Sequence, residues 1–124
     1  MLRSKVRIVV AVIILGITTS CHKEGIGGKS FVSGVVAHHG QPIPYSVVYI
    51  MYGATDFPGI DVSKYDDHTT SDANAHYEFS NLRKGNYYLF GVGFDNSISQ
   101  QVSGGEGIKL KYNKSITTDL AVTE

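Results

Sequence analysis

The chain contains one cysteine, no tryptophan and three prolines in 124 residues. A single thiol cannot close a disulfide within one molecule, so packing and hydrogen bonds must hold the fold. The lack of tryptophan removes the side chain with the largest stacking face. Neither sign of charge prevails, with 11 Lys and Arg against 11 Asp and Glu. Three of the basic residues, Arg3, Lys5 and Arg7, stand before the one long apolar run, and the chain beyond it has 8 basic against 11 acidic residues, a net charge of −3. The basic clustering that nucleic acid or an anionic membrane surface requires is not visible along this remainder, so neither is expected as a partner. Nothing in the sequence implies a cofactor.

The apolar run, Ile8 to Ile17, is ten residues long. A membrane-crossing helix needs roughly 20, so a permanent span fits poorly. Basic residues, a short apolar run and the small polar stretch Thr18, Thr19, Ser20 form the order of an export signal, expected as a helix over residues 1–20. Ile17-Thr18-Thr19-Ser20-Cys21 resembles the lipobox of bacterial lipoproteins, with Ser20 in the pattern and Thr18 where leucine is usual. The resemblance implies cleavage before Cys21 and acylation of its thiol. Membrane lipid is then a partner through Cys21, several acyl chains give stable anchoring, and the location is the cell envelope, with the outer membrane expected.

Residues 21–30 are rich in glycine and lack an apolar period, and they read as a flexible tether. From residue 31 onward apolar residues recur at every second position, and the breaks fall at Gly, Pro, Asn and Asp. That period predicts an all-β domain over residues 31–124. Strands are expected at 31–37, 45–52, 68–71, 76–80 and 86–95, with weaker ones at 99–102, 107–112 and 116–122. Ser46, Val48 and Ile50 share one face of the second strand, and Val47, Tyr49 and Met51 the other. Strand 86–95 is apolar on both faces, which predicts a central position. Residues 53–67 show no period and read as a long loop. About seven short strands suit a single two-sheet sandwich.

The spacing Val32-x-Gly34-x-Val36, Gly40-x-Pro42-Ile43, Val48, Thr70-x-Asp72, Tyr77-x-Phe79 and Leu82-x-x-Gly85-x-Tyr87-x-Leu89 resembles the carboxypeptidase regulatory-like domains. The match spans roughly residues 31–94. It implies a transthyretin-like (prealbumin-like) Greek-key β-sandwich and an accessory role as an interaction or structural module, with an envelope protein as the expected partner. Ala75 departs from the family, which has glycine in that turn, and Asn74 is expected to take the positive φ instead. Related hydroxyisourate hydrolases use the same sandwich with His and Arg residues and a terminal Tyr-Arg-Gly-Ser. This chain has Arg83 as its one arginine beyond the signal and ends Leu120-Ala121-Val122-Thr123-Glu124, so no such enzyme is expected.

Two binding alternatives arise from residue types. Asp56, Asp61, Asp66 and Asp67 supply oxygen donors that a calcium ion would need, although their spacing follows no calcium-loop pattern. Tyr49, Tyr52, Tyr65 and Tyr88 are candidates for a glycan-stacking platform, with half-buried strand positions as the plainer explanation. His38 and His39 fall in the expected turn over residues 38–42, where both would be solvated, while on a strand they would face opposite ways, and no metal centre is expected from them with His76.

Overall fold

The computed structural model of the protein describes residues 23–124, so the expected signal helix over residues 1–20 and Cys21 lie outside the described residues. The described chain is an all-β, two-sheet sandwich. Its strands are β1 (Ile26–His38), β2 (Gln41–Pro42), β3 (Val47–Tyr52), β4 (Asp67–Thr70), β5 (His76–Leu82), β6 (Gly85–Asp95), β7 (Gln100–Leu110), β8 (Ser115–Thr117) and β9 (Leu120–Ala121). One sheet runs β4-β3-β6-β7, all antiparallel. The other is built on β1, which pairs antiparallel with β2 and β5 and parallel with β8 and β9.

The alternating pattern places the core. On β1 Val32, Gly34, Val36 and His38 point inward, and β3 contributes Val48 and Ile50 from the facing sheet. Tyr77, Leu82, Tyr87, Leu89, Leu110, Leu120 and Val122 complete a core in which each is at most 1 % exposed. The two buried tyrosines satisfy their polar ends. Tyr77 Oη donates to the Thr118 carbonyl at 2.6 Å, and Tyr87 Oη donates to the Arg83 carbonyl at 2.6 Å. Strand β6 is central as expected, because Tyr88 and Phe90 on its second face are also buried.

The sandwich has nine strands where about seven are expected, and the differences have local causes. Strand β7 is one continuous strand, although Gly104 and Gly105 suggest a break between two weak ones. Both glycines sit where neighbouring backbone comes close, Gly104 under the Ala121 carbonyl and Gly105 under that of Leu89. Conversely, the last expected strand is divided into β8 and β9. Between them Thr118 N–H donates to the Ser33 carbonyl, and Asp119 Oδ1 accepts from Val35 N–H. Gly34 lies beneath that crossing, and a β-carbon there would overlap the Thr118 carbonyl.

The expected tether is largely structured. Ile26 to Ser30 belong to β1 and pair with Leu82 through an irregular register. Their glycines remove the apolar period that a strand normally shows, while Gly28 lets the chain pass against the Leu82 carbonyl. At the β4–β5 turn, Ala75 itself takes the left-handed conformation at φ 64° while being fully buried. Asn74 is not the strained residue. Its N–H and that of His76 are held by Asp72 Oδ1 at 2.8 and 3.0 Å, which over-determines the turn. Release of left-handed strain contributes about 1–2 kcal/mol. It opposes the lost buried methyl, about 0.8 kcal/mol, and the chain entropy of glycine, about 0.4–1 kcal/mol. Ala75→Gly is therefore expected to leave stability within about 0.5 kcal/mol of wild type by denaturant unfolding, and a loss above about 1 kcal/mol would contradict this balance.

Candidate functional site

The N-terminal segment is clamped onto one end of the sandwich. Gly25 N–H donates to Tyr87 Oη at 2.8 Å, Arg83 N–H donates to the Gly25 carbonyl at 2.8 Å, and Asn86 N–H donates to Glu24 Oε2 at 3.1 Å. Gly85, at φ 140°, gives Glu24 room to pack there. The same end collects basic residues from distant parts of the chain. Arg83 Nη1 donates to the Lys23 carbonyl, Phe31 N–H to the Lys114 carbonyl, and Ser30 Oγ to the Lys111 carbonyl. Lys109 pairs across the sheet with Asn86. With Lys29 and Lys84, seven of the eight basic residues described gather at this end, and Lys64 lies apart on the long loop. Lys29, Arg83, Lys84 and Tyr112 line a cleft of about 300 Å³ there. Sequence reading misses this cluster because its members are separated by up to 91 positions, from Lys23 to Lys114. Basic residues on both sides of strand termini are the available signal.

The long loop folds back over the outer face of the β4-β3-β6-β7 sheet. Phe57 packs on Tyr88 and Phe90, with ring centroids 5.9 and 5.4 Å apart, and Tyr65 stacks on Phe90 at 5.9 Å. Tyr49 lies 5.9 Å from Tyr65 and 5.8 Å from His68. Three of the four expected platform tyrosines thus meet on one face. Tyr52 does not join them, because it is one position out of phase on β3 and meets Tyr87 edge-on on the core side, 5.8 Å away. Tyr88 is only 8 % exposed, and burial raises the phenol pKa of both Tyr65 and Tyr88. These rings form a small second core beneath the loop. Above it the loop presents Phe57, Ile60 and Val62 to solvent, Ile60 at 80 % exposure.

The four aspartates of this region do not converge on a shared ion site. Asp61 caps the 3-10 turn Val62–Lys64 by accepting from Ser63 N–H and Oγ, which lowers its pKa. Asp66 Oδ2 accepts from Tyr52 N–H at 2.7 Å, Asp67 Oδ1 accepts from His68 N–H at 2.8 Å, and Asp56 is exposed. Asp61, Asp66 and Asp67 each accept a backbone N–H, so three of the four candidate carboxylates already have a role in holding the loop.

At the opposite end of β6 a polar cluster is built into the sandwich. His38, 3 % exposed, places Nδ1 at 2.8 Å from Asp95 Oδ2. Asp95 Oδ1 in turn accepts from Ser97 N–H and Oγ at 2.9 and 2.6 Å. The Ser97 hydroxyl and then His38 hold the Asp95 carboxyl down at about 2, and the Asp95 contact is the main reason that the His38 pKa is raised. The other ring nitrogen, Nε2, is buried and 2.6 Å from Glu124 Oε2, yet it makes no properly directed hydrogen bond.

No family model matches the chain, and no curated protein matches it. Among solved structures, it is similar to a proposed carbohydrate-binding protein of Pseudomonas aeruginosa, with a TM-score of 0.54 and 13 % identity over 78 % of this chain and 90 % of that one. At that identity the likeness concerns the fold.

Proposed function

We propose that the protein is a lipid-anchored, non-catalytic module of the cell envelope, a carboxypeptidase regulatory-like sandwich held at the outer membrane by acyl chains on Cys21. The supporting observation is the basic end. Glu24 is already fixed to Asn86, so only His22 and Lys23 lie between Cys21 and the folded domain, and the three steps from Cys21 to Glu24 reach at most about 11 Å. That is close to the Debye length of about 8 Å at physiological ionic strength. The end that carries the cations is the end the anchor must bring to the headgroups. An envelope protein is then free to dock on the exposed Phe57, Ile60 and Val62, which stand on a packed aromatic base. The non-catalytic part of the reading rests on the sequence inventory, with Cys21 consumed by lipid and Arg83 the one arginine of the mature chain.

Cys21→Ser is expected to abolish incorporation of labelled palmitate and to release the protein from the membrane fraction in high salt. Retention of the unlabelled variant would overturn the anchor. The charge arrangement is tested on the unacylated Cys21→Ser protein with vesicles of phosphatidylglycerol. Each cation near an anionic surface contributes about 1 kcal/mol. Adding Lys29→Glu, Lys84→Glu and Lys114→Glu should therefore weaken binding by about 100-fold or more, and unchanged, salt-independent binding would contradict the orientation.

A second reading, glycan binding on the outer face, is favoured by Tyr49 and Tyr65 standing half-exposed beside Phe57. The proposed carbohydrate binding of the Pseudomonas aeruginosa protein supports it. A glycan array that gives specific binding lost in Tyr49→Ala would establish it, and an array without binding would remove it.

A further inference from the structure

We propose that His38, His39 and Glu124 form a binding site for a divalent transition metal of the zinc class, at the end of the domain away from the basic cluster. On a regular strand the two histidines would point to opposite faces. Strand β1 stops at His38, however, and His39 takes a left-handed conformation at φ 50°. That turn brings the two rings to a centroid separation of 4.1 Å. One ligand atom from each of His38, His39 and Glu124 falls within 4.8 Å of the others. Bonds of about 2.0–2.2 Å in a tetrahedral zinc site put ligand atoms roughly 3.3 Å apart. The trio thus needs sub-ångström to ångström-scale adjustment, which the exposed side chains of His39 and Glu124 can supply.

Two features distinguish this cluster from a chance meeting of polar groups. The first is the state of His38 Nε2, which is buried and 2.6 Å from Glu124 Oε2, with the His39 ring packed beside it, yet without the geometry of a directed hydrogen bond. The second is the support behind it. The Nδ1 side of the ring is fixed by Asp95, itself fixed by Ser97, which is the carboxylate–histidine arrangement that orients a metal-binding imidazole and leaves Nε2 as the donor. Two imidazoles and one carboxylate suit zinc-class ions over calcium or magnesium, which prefer oxygen donors alone. A water molecule supplies the fourth ligand on the exposed side. Where Nε2 carries a proton, binding breaks that N–H bond and sends the proton to solvent, and no other covalent bond in the protein changes.

The probe is zinc chloride, titrated calorimetrically into the full chain purified in detergent with Cys21→Ser, so that no thiol competes. One equivalent is expected to bind and to raise the melting temperature, while calcium and magnesium do neither. His39→Ala alters an exposed side chain and should keep the metal-free melting temperature, whereas Glu124→Gln also removes the carboxylate beside His38 and is read against its own metal-free melting temperature; both should lower zinc affinity by more than about tenfold. Cobalt bound in place of zinc should show the intense visible absorption of a tetrahedral site, absent in both variants. Failure of the wild-type chain to bind zinc would overturn the proposal. So would zinc binding that both variants retain, since it would place the ion on His22, His68 or His76 instead.

Discussion

Replacing Gly34 by alanine is expected to destabilise the domain by about 3–5 kcal/mol, among the largest effects that one methyl group can produce. The added carbon would overlap the Thr118 carbonyl, which is backbone and cannot rotate away. Relief requires the β8–β9 segment to lift off β1. That motion disrupts the Thr118-to-Ser33 hydrogen bond, the Val35-to-Asp119 contact and the Tyr77 hydroxyl, which shares the Thr118 carbonyl. Gly40→Ala is the control, because open space surrounds that position and only its φ of 77° is unfavourable. It should cost about 1–2 kcal/mol. Thermal unfolding separates the two, since 3 kcal/mol corresponds to at least about 12 °C in a domain of this size. Equal effects at the two glycines would mean that the crossing is looser than described.

Tyr87→Phe is expected to cost about 2–4 kcal/mol while leaving the core packing intact. The ring stays, but its hydroxyl serves two partners, accepting from Gly25 N–H and donating to the Arg83 carbonyl. Its loss leaves both groups without that partner in a buried setting, at about 1–3 kcal/mol for each unsatisfied group. The local consequence matters more than the total. Gly25 is the point where the N-terminal segment is tied to the sandwich, so hydrogen exchange at Gly25 to Ser30 should accelerate more than exchange in β3 or β6. Uniform acceleration across the domain would show that the hydroxyl supports the fold as a whole and is no clamp.

Much of the sandwich is legible in the sequence because one-sided strands carry their own period. The faces of β3 follow directly from Ser46-x-Val48-x-Ile50, and β6 declares its central place through Tyr87 and Leu89 alternating with Tyr88 and Phe90. Legibility fails where glycine replaces the period. Ile26 to Ser30 resemble a linker in composition, yet Gly27 and Gly28 are what allow close passage beneath Arg83 and Leu82. Glycine likewise hides the continuity of β7.

The functional surfaces were less legible, for a different reason. Lys29, Arg83 and Lys114 are remote in sequence, and they meet only because β1 pairs with β5, the β5–β6 turn carries Arg83, and Phe31 N–H on β1 donates to the Lys114 carbonyl. His38 and His39 mislead in the opposite direction, because the expected solvated turn begins one residue too early: β1 includes His38, which is buried, and the left-handed residue His39 ends it. The tyrosines were half legible. Tyr49 and Tyr52, grouped on residue type, lie an odd number of positions apart on β3 and face opposite ways, and nothing local reveals that the loop will cover Tyr88. Asp61 and Asp66 look like ion ligands by composition, and what composition does not reveal is that each accepts a backbone N–H, from Ser63 and from Tyr52 across the loop.

The central claim, that this domain sits at the membrane through an acylated Cys21 placed beside its basic end, is tested most directly by the intact mass of the protein extracted from its native membrane. The account predicts a chain that begins at Cys21 and carries the added mass of acyl chains on that residue. A chain that begins elsewhere, or one that keeps an unmodified Cys21 thiol, would contradict it.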